Sequence, residues 1–121
     1  MTESAESAYT KGLRGDARAR EYLCQKGMEP LCERFHSPYG EIDLVMRDGD
    51  ALVFVEVKAR RTGRAYDGAN AVNEAKQERI VLTARRYLAE HPTEQSVRFD
   101  VVEITKDGVM HIPNAFQGKE W

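Results

Sequence analysis

The apolar positions of this chain change their period as the sequence advances, from helical spacing to alternation, back to helical spacing and then to alternation again. From about Ser4 to Lys26, Tyr9, Leu13, Ala17, Leu23 and Cys24 fall near one face of a helix, and Gly27 is a natural stop for it. "PLCERFHS" predicts a short strand that ends at Ser37-Pro38. Glu41–Arg47 and Ala51–Arg60 alternate as the two arms of a hairpin turning at Asp48-Gly49. After the Gly-bearing loop "TGRAYDGAN", Ala71 to about Glu90 returns to helical spacing through Val72, Ile80, Ala84, Tyr87 and Leu88, and His91-Pro92 ends that run. "VRFDVVEIT" predicts a strand, Asp107-Gly108 a turn, and "VMHI" a short partner strand. The order α-β-β-β-α-β, with one further strand, predicts an α/β fold: one mixed sheet flanked by helices.

The hairpin "YGEIDLVMRDGDALVFVEVKAR" contains charges where its pattern calls for core. Side chains alternate along a strand, so Phe54, Glu56 and Lys58 share one face, and Glu41 and Asp43 likewise share a face. A turn centred on Asp48-Gly49 pairs Arg47 with Asp50, Asp43 with Phe54 and Glu41 with Glu56, which puts all four charged groups on one side. Like charges opposed on a sheet repel, and an unpaired buried carboxylate is costly or takes up a proton. Either this is the solvent face of an amphipathic hairpin, with Glu56 and Lys58 a surface pair, or the carboxylates form a site. Lys58 can neutralise one charge, and a divalent ion such as Mg²⁺ or Mn²⁺, which prefers hard oxygen ligands, can neutralise the rest. The valine alternation beside Phe54, Leu44 and Val45 suggests a strand covered on both faces, which favours the site.

Composition narrows the classes. A chain of 121 residues, 41% hydrophobic and 31% charged, has room for one domain with a real core. The net charge of −2 argues against a general nucleic-acid coat but allows a local basic patch. Cys24 and Cys32 fit neither a zinc site nor a disulfide framework; they read as core fillers in a chain of the reducing cytoplasm. "MTESAESAYT" lacks the apolar stretch of a secretory leader, and no run approaches the length of a membrane span. His36, His91 and His111 match no metal-ligand spacing and read as structural.

Asp43 followed by Glu56-Val57-Lys58 on the next strand is similar to the D…(D/E)xK signature of the PD-(D/E)XK nuclease superfamily. More closely, "GLRGDARAREYL", "GEIDLV", "LVFVEVKAR", "AVNEAKQERI", "RFDVVEI" and "HIPNAF" resemble the YraN family of small bacterial proteins, relatives of the archaeal Holliday junction resolvases. The resemblance runs from about residue 12 to residue 116. It implies a restriction-endonuclease-like core within one nuclease-like domain. The family pattern has Glu where this chain has Asp16, which keeps the charge and shortens its reach, and Ile42 stands in place of the superfamily's proline.

The resemblance implies that Asp43 and Glu56 hold Mg²⁺ or Mn²⁺, with the Val57 carbonyl as a further ligand. Lys58 is then an electrostatic stabiliser, and Glu41 and Asp16 complete the ligand shell or admit a second ion. Gln77, on the following helix, is either a supporting polar residue or a surface glutamine. Arg60, Arg61 and Arg64 leave the site strand together and are the phosphate-contact candidates. Two functions compete: a metal-dependent endonuclease acting on DNA, branched DNA included, and an inactive nucleic-acid-binding or interaction module on the same fold. Asp43, Glu56 and Lys58 occurring together favour the first. The resemblance also raises a homodimer, for which Phe116 and Trp121 offer themselves as anchors beside the alternative of a frayed tail.

Overall fold

The computed structural model describes residues 8–59 and 72–117, with side chains from residue 15 onward. Helix α1 (Ala8–Gln25) precedes strands β1 (Glu29–Ser37), β2 (Gly40–Asp48) and β3 (Ala51–Ala59). Helix α2 (Glu74–Glu90) then leads to β4 (Ser96–Thr105) and β5 (Gly108–Phe116). The five strands form one sheet in chain order. β1 with β2 and β2 with β3 pair antiparallel, β4 lies parallel to β3, and β5 returns antiparallel to β4. The mixed α/β sheet is therefore the one the pattern predicts, with α2 as the crossover that a parallel β3–β4 pair requires.

Each sheet face carries its own core. Val45, Leu52, Phe54, Phe99 and Val101 pack with Ile80, Ala84 and Tyr87 of α2. Leu44, Met46, Val53, Val55, Val102 and Ile104 pack with Ala19 and Leu23 of α1. The central strands are thus apolar on both sides, as expected of a sheet between helices. On α1 the buried stripe runs through Asp16, Ala19 and Leu23, whereas Ala17 and Cys24 are exposed. The face is turned one residue, about 100°, from the predicted one. Cys24 is therefore no core filler, and Cys32 only borders the α2-side core. α1 ends as predicted: Gly27 at φ +97° lets Met28 N–H reach the Leu23 carbonyl at 3.1 Å and its own N–H reach Cys24 at 3.0 Å, a Schellman closure.

The hairpin turn differs from expectation. Its central residues are Gly49 and Asp50, because Asp48 pairs with Ala51 and Arg47 with Leu52. Gly49 at φ +59° takes the first central position, where a type II′ turn needs a glycine, and Asp48 escapes a left-handed backbone. Each predicted partner moves by two residues.

β5 is longer than "VMHI". Pro113 sits on an edge strand, where its missing N–H is tolerated. Asn114, at φ +52°, bulges so that its N–H donates to Asp100 Oδ1 at 2.9 Å. The strand then continues to Phe116, which stacks on Phe99 with ring centroids 5.1 Å apart. Phe116 is spent on the chain's own core, and Trp121 lies outside the described residues. β1, at the other edge, has Pro30 near a register break and Arg34 at φ +52°.

Asp100 is fully buried and organises the β4–β5 side of the sheet. Arg98 grips both its oxygens at 2.9 Å, and His111 Nε2 lies 2.7 Å from Oδ2. Lys26 Nζ is 2.9 Å from His111 Nδ1. An ammonium only donates, so Nδ1 accepts and the ring proton sits on Nε2, facing Asp100. Burial pushes the Asp100 carboxyl up, but these hydrogen bonds outweigh it and hold the group below its ordinary range. His111 is structural, as predicted.

Candidate functional site

One step beyond the last described rung, Leu44 with Val55, Asp43 stands opposite Glu56. Here β2 departs from strict alternation, since Ile42 and Val45 both join the α2-side core while Leu44 joins the other. Asp43 Oδ2 accepts the Val57 N–H at 2.8 Å, which ties the carboxylate to the β3 backbone. Its carboxyl is close to that of Glu56, a residue only 4% exposed. Burial, then the charge and close approach of Glu56, push the Asp43 pKa up to about 7, against the lowering effect of the Val57 N–H and of Lys76. Two acids in such contact share a proton unless a cation replaces it.

That cation is supplied by α2 in this structure. Lys76 Nζ lies 2.7 Å from Glu56 Oε2. Its position follows from the helix start: Asn73 caps α2 by accepting the Lys76 N–H at 2.8 Å, and Gln77 Nε2 donates to the Val72 carbonyl at 2.8 Å. Gln77 therefore pins the start of the helix from which Lys76 reaches the site. Lys58, expected beside Glu56, has no described ion pair with it; its cross-strand neighbour in the parallel register is Glu103.

Asp16 and Glu41 form a second acidic group. Arg34 bridges them, 3.0 Å from Asp16 Oδ2 and 3.1 Å from Glu41 Oε1, and His36 Nε2 adds a contact to Glu41 at 3.1 Å. The four charges therefore do not lie on one side as drawn from alternation. Glu41 turns to Arg34 and α1, Glu56 to Lys76 and α2, and Asp43 lies between them. Asp16 faces the sheet at 4% exposure. Burial and the charge of Asp43, with lesser pushes from Glu41 and Glu33, raise its pKa to about 7 despite Arg34. Arg34 holds a left-handed backbone that is strained for a side chain with a Cβ, and the two acids it bridges, Asp16 and Glu41, are at the site.

Among the described residues, no three or more His, Cys, Asp or Glu side chains gather closely enough to ligate one ion. A metal at Asp43 and Glu56 would rest on two carboxylates, a backbone carbonyl such as that of Val57, and water. Mg²⁺ accepts such a set, since it commonly keeps several waters and takes only one or two carboxylates. The paired acids fit the ion on that ground. Arg60, Arg61 and Arg64 lie outside the described residues.

Sequence reasoning missed Lys76, Arg34, Glu103 and Asp100. Glu103, 1% exposed, and Asp100 were open to detection as charges inside a strand apolar on both faces. Nothing in the local sequence marks Lys76 or Arg34, whose roles depend on the helix crossing and on the left-handed backbone of Arg34.

The model of the uncharacterised protein family UPF0102 matches residues 15–104. A UPF0102 protein of Rhodopseudomonas palustris is 42% identical over 113 residues, covering 91% of this chain and 82% of the relative. One of Cupriavidus taiwanensis is 43% identical over 112 residues, covering 91% and 85%. One of Psychromonas ingrahamii is 34% identical over 114 residues, covering 93% of each.

Proposed function

This chain belongs to the uncharacterised protein family UPF0102, and we propose that it is a metal-dependent endonuclease-like protein hydrolysing phosphodiester bonds of DNA, with branched or junction DNA as the first substrate class to test. The observation that carries the reading is the Asp43–Glu56 pair, two adjacent acids at the end of a hairpin that is otherwise core. The likeness of Asp43 and Glu56-Val57-Lys58 to a nuclease signature supports it.

Asp43 and Glu56 would hold Mg²⁺ or Mn²⁺, with the Val57 carbonyl beside them. Bound there, the ion would supply electrophilic activation of a phosphate oxygen and a more acidic water. The Val57 N–H orients Asp43, and the capped start of α2 orients Lys76 toward Glu56. Lys58, on the same strand and without an ion pair to Glu56, stabilises the negative charge that builds on the phosphate. Asp16 and Glu41, gripped by Arg34, shape the α1 side and set the local negative field.

The test is cleavage of linear, flapped and four-way-junction DNA with Mg²⁺ or Mn²⁺. Cleavage is expected with either ion and not in EDTA. Glu56→Gln should abolish it, and Lys58→Ala should slow it about 10²–10³-fold. Cleavage by Glu56→Gln at the rate of the parent would overturn the assignment.

A second reading is favoured by one observation: Lys76 and Arg34 already neutralise the acids from within the chain. Such a site can persist without a metal in a module that binds nucleic acid and no longer cuts it. Absence of cleavage on every substrate, with DNA binding retained, would select it.

Both readings place DNA contacts on Arg60, Arg61 and Arg64. Replacing all three with alanine should weaken binding to every sequence alike and flatten the slope of log affinity against log salt by about 2–3. An unchanged slope in a fluorescence titration would move the DNA path elsewhere.

A further inference from the structure

We propose that Lys76 is an exchangeable counter-ion of the carboxylate pair: its ammonium holds Glu56 until a divalent cation takes its place, and so sets how tightly that cation binds. The inference rests on the reading of Asp43 and Glu56 as ligands. Lys76 Nζ lies 2.7 Å from Glu56 Oε2, on a glutamate whose side chain is 4% exposed. A divalent ion sits about 2.1 Å from a ligand oxygen and repels an ammonium on the same carboxylate. The two positive groups compete for the one carboxylate. Glu56 is buried in β3, and the start of α2 is fixed by the Asn73 cap and by Gln77 on Val72. The Lys76 side chain is 39% exposed, and its flexible stem lets the ammonium swing into water without moving the helix.

Removing the charge therefore removes a competitor. Apparent affinity falls with the fraction of molecules in which the ligand's place is free, so a resident ammonium weakens cation binding and its loss strengthens it. Calorimetric titration of Mn²⁺ into EDTA-treated, dialysed protein is the direct measurement. Lys76→Met should bind Mn²⁺ about tenfold more tightly than the parent, a factor worth about 1.4 kcal/mol. Lys76→Gln, which still donates a hydrogen bond to Glu56, should show the same direction and guards against a misfolded methionine variant. Lys76→Arg, which keeps the charge, should match the parent. Glu56→Gln should bind least.

The outcomes separate the two layers of the argument. Binding lost in Glu56→Gln but equal in the parent, Lys76→Met and Lys76→Gln keeps the ligand assignment and overturns the role of Lys76. Weaker binding in folded Lys76→Gln overturns it also, since the lysine would then support the cation. No Mn²⁺ binding by the parent or by any variant overturns both.

Discussion

Replacing Asp100 with alanine is expected to lower the unfolding free energy by about 3–5 kcal/mol, the usual consequence of removing one partner from a buried ion pair. Domains of this kind are stable by only about 5–15 kcal/mol, so the variant should stand near the limit of folding. The effect is large because four hydrogen bonds converge on one fully buried carboxylate: two from Arg98, one from His111 and one from the Asn114 N–H. Without it, the Arg98 guanidinium and the His111 Nε2–H lose their buried acceptor, and the Asn114 bulge loses the bond that shapes it. Urea denaturation at neutral pH reads the loss, and a change below about 1 kcal/mol would show that the network is not a keystone. The pH dependence has a definite sign. Asp100 titrates below its ordinary range, so its contribution is present above the ordinary carboxylate pKa and is lost as acid takes the pH down through the folded value.

Asp16 and Asp43 should produce the opposite trend. Both carboxyls have pKa values pushed up to about 7. An unfolded aspartate gives up its proton near pH 4, as the ordinary value dictates. Between those limits the folded protein binds more protons than the unfolded one, so stability in EDTA falls as pH rises from about 4 to about 7. The slope is at most about 1.4 kcal/mol per pH unit for each proton involved. Thermal melts in EDTA should therefore show greater stability at pH 5.5 than at pH 8. Asp43→Asn should flatten the trend, since the amide keeps an oxygen for the Val57 N–H and loses the charge. Added Mn²⁺ should recover stability at pH 8 more than at pH 5.5, because a cation binds the deprotonated pair. A flat profile in EDTA, or equal Mn²⁺ effects at both pH values, would show that the two acids are not held in this way.

How much of this was legible beforehand depends on the range of the interaction concerned. Helix and strand identity follows from period, and α1, the β2–β3 hairpin, α2 and β4 all lie where apolar spacing puts them. The carboxylates Asp43 and Glu56 were legible as charges in a doubly covered hairpin. The register was not, because it turned on which residue beside Asp48 takes the positive φ, and Gly49 at the first central position decides it. The two-residue displacement replaced the expected Glu41–Glu56 opposition with Asp43 facing Glu56. Ile42 joining the α2-side core then sent Glu41 toward Arg34. Lys76 lay beyond reach for a different reason: a lysine in the first turn of a helix reads as solvated until the crossover sets it over β3. β5 was cut short because Pro113 reads as a terminator, whereas Asp100, fourteen residues before Asn114, catches the bulge and lets the strand go on.

The two outer strands resist continuation. Pro30 and Pro113 each lack an N–H to offer an incoming strand, the ladder shifts register near Pro30 and again beside Asn114, and Arg34 and Asn114 each hold a left-handed backbone. Proteins blunt exposed edges in this manner against unwanted strand addition and fibril growth. The same blunting constrains assembly. If two copies associate through a two-fold axis, the sheet does not run on from one copy to the next, and the contact has to be built from helix or loop surfaces.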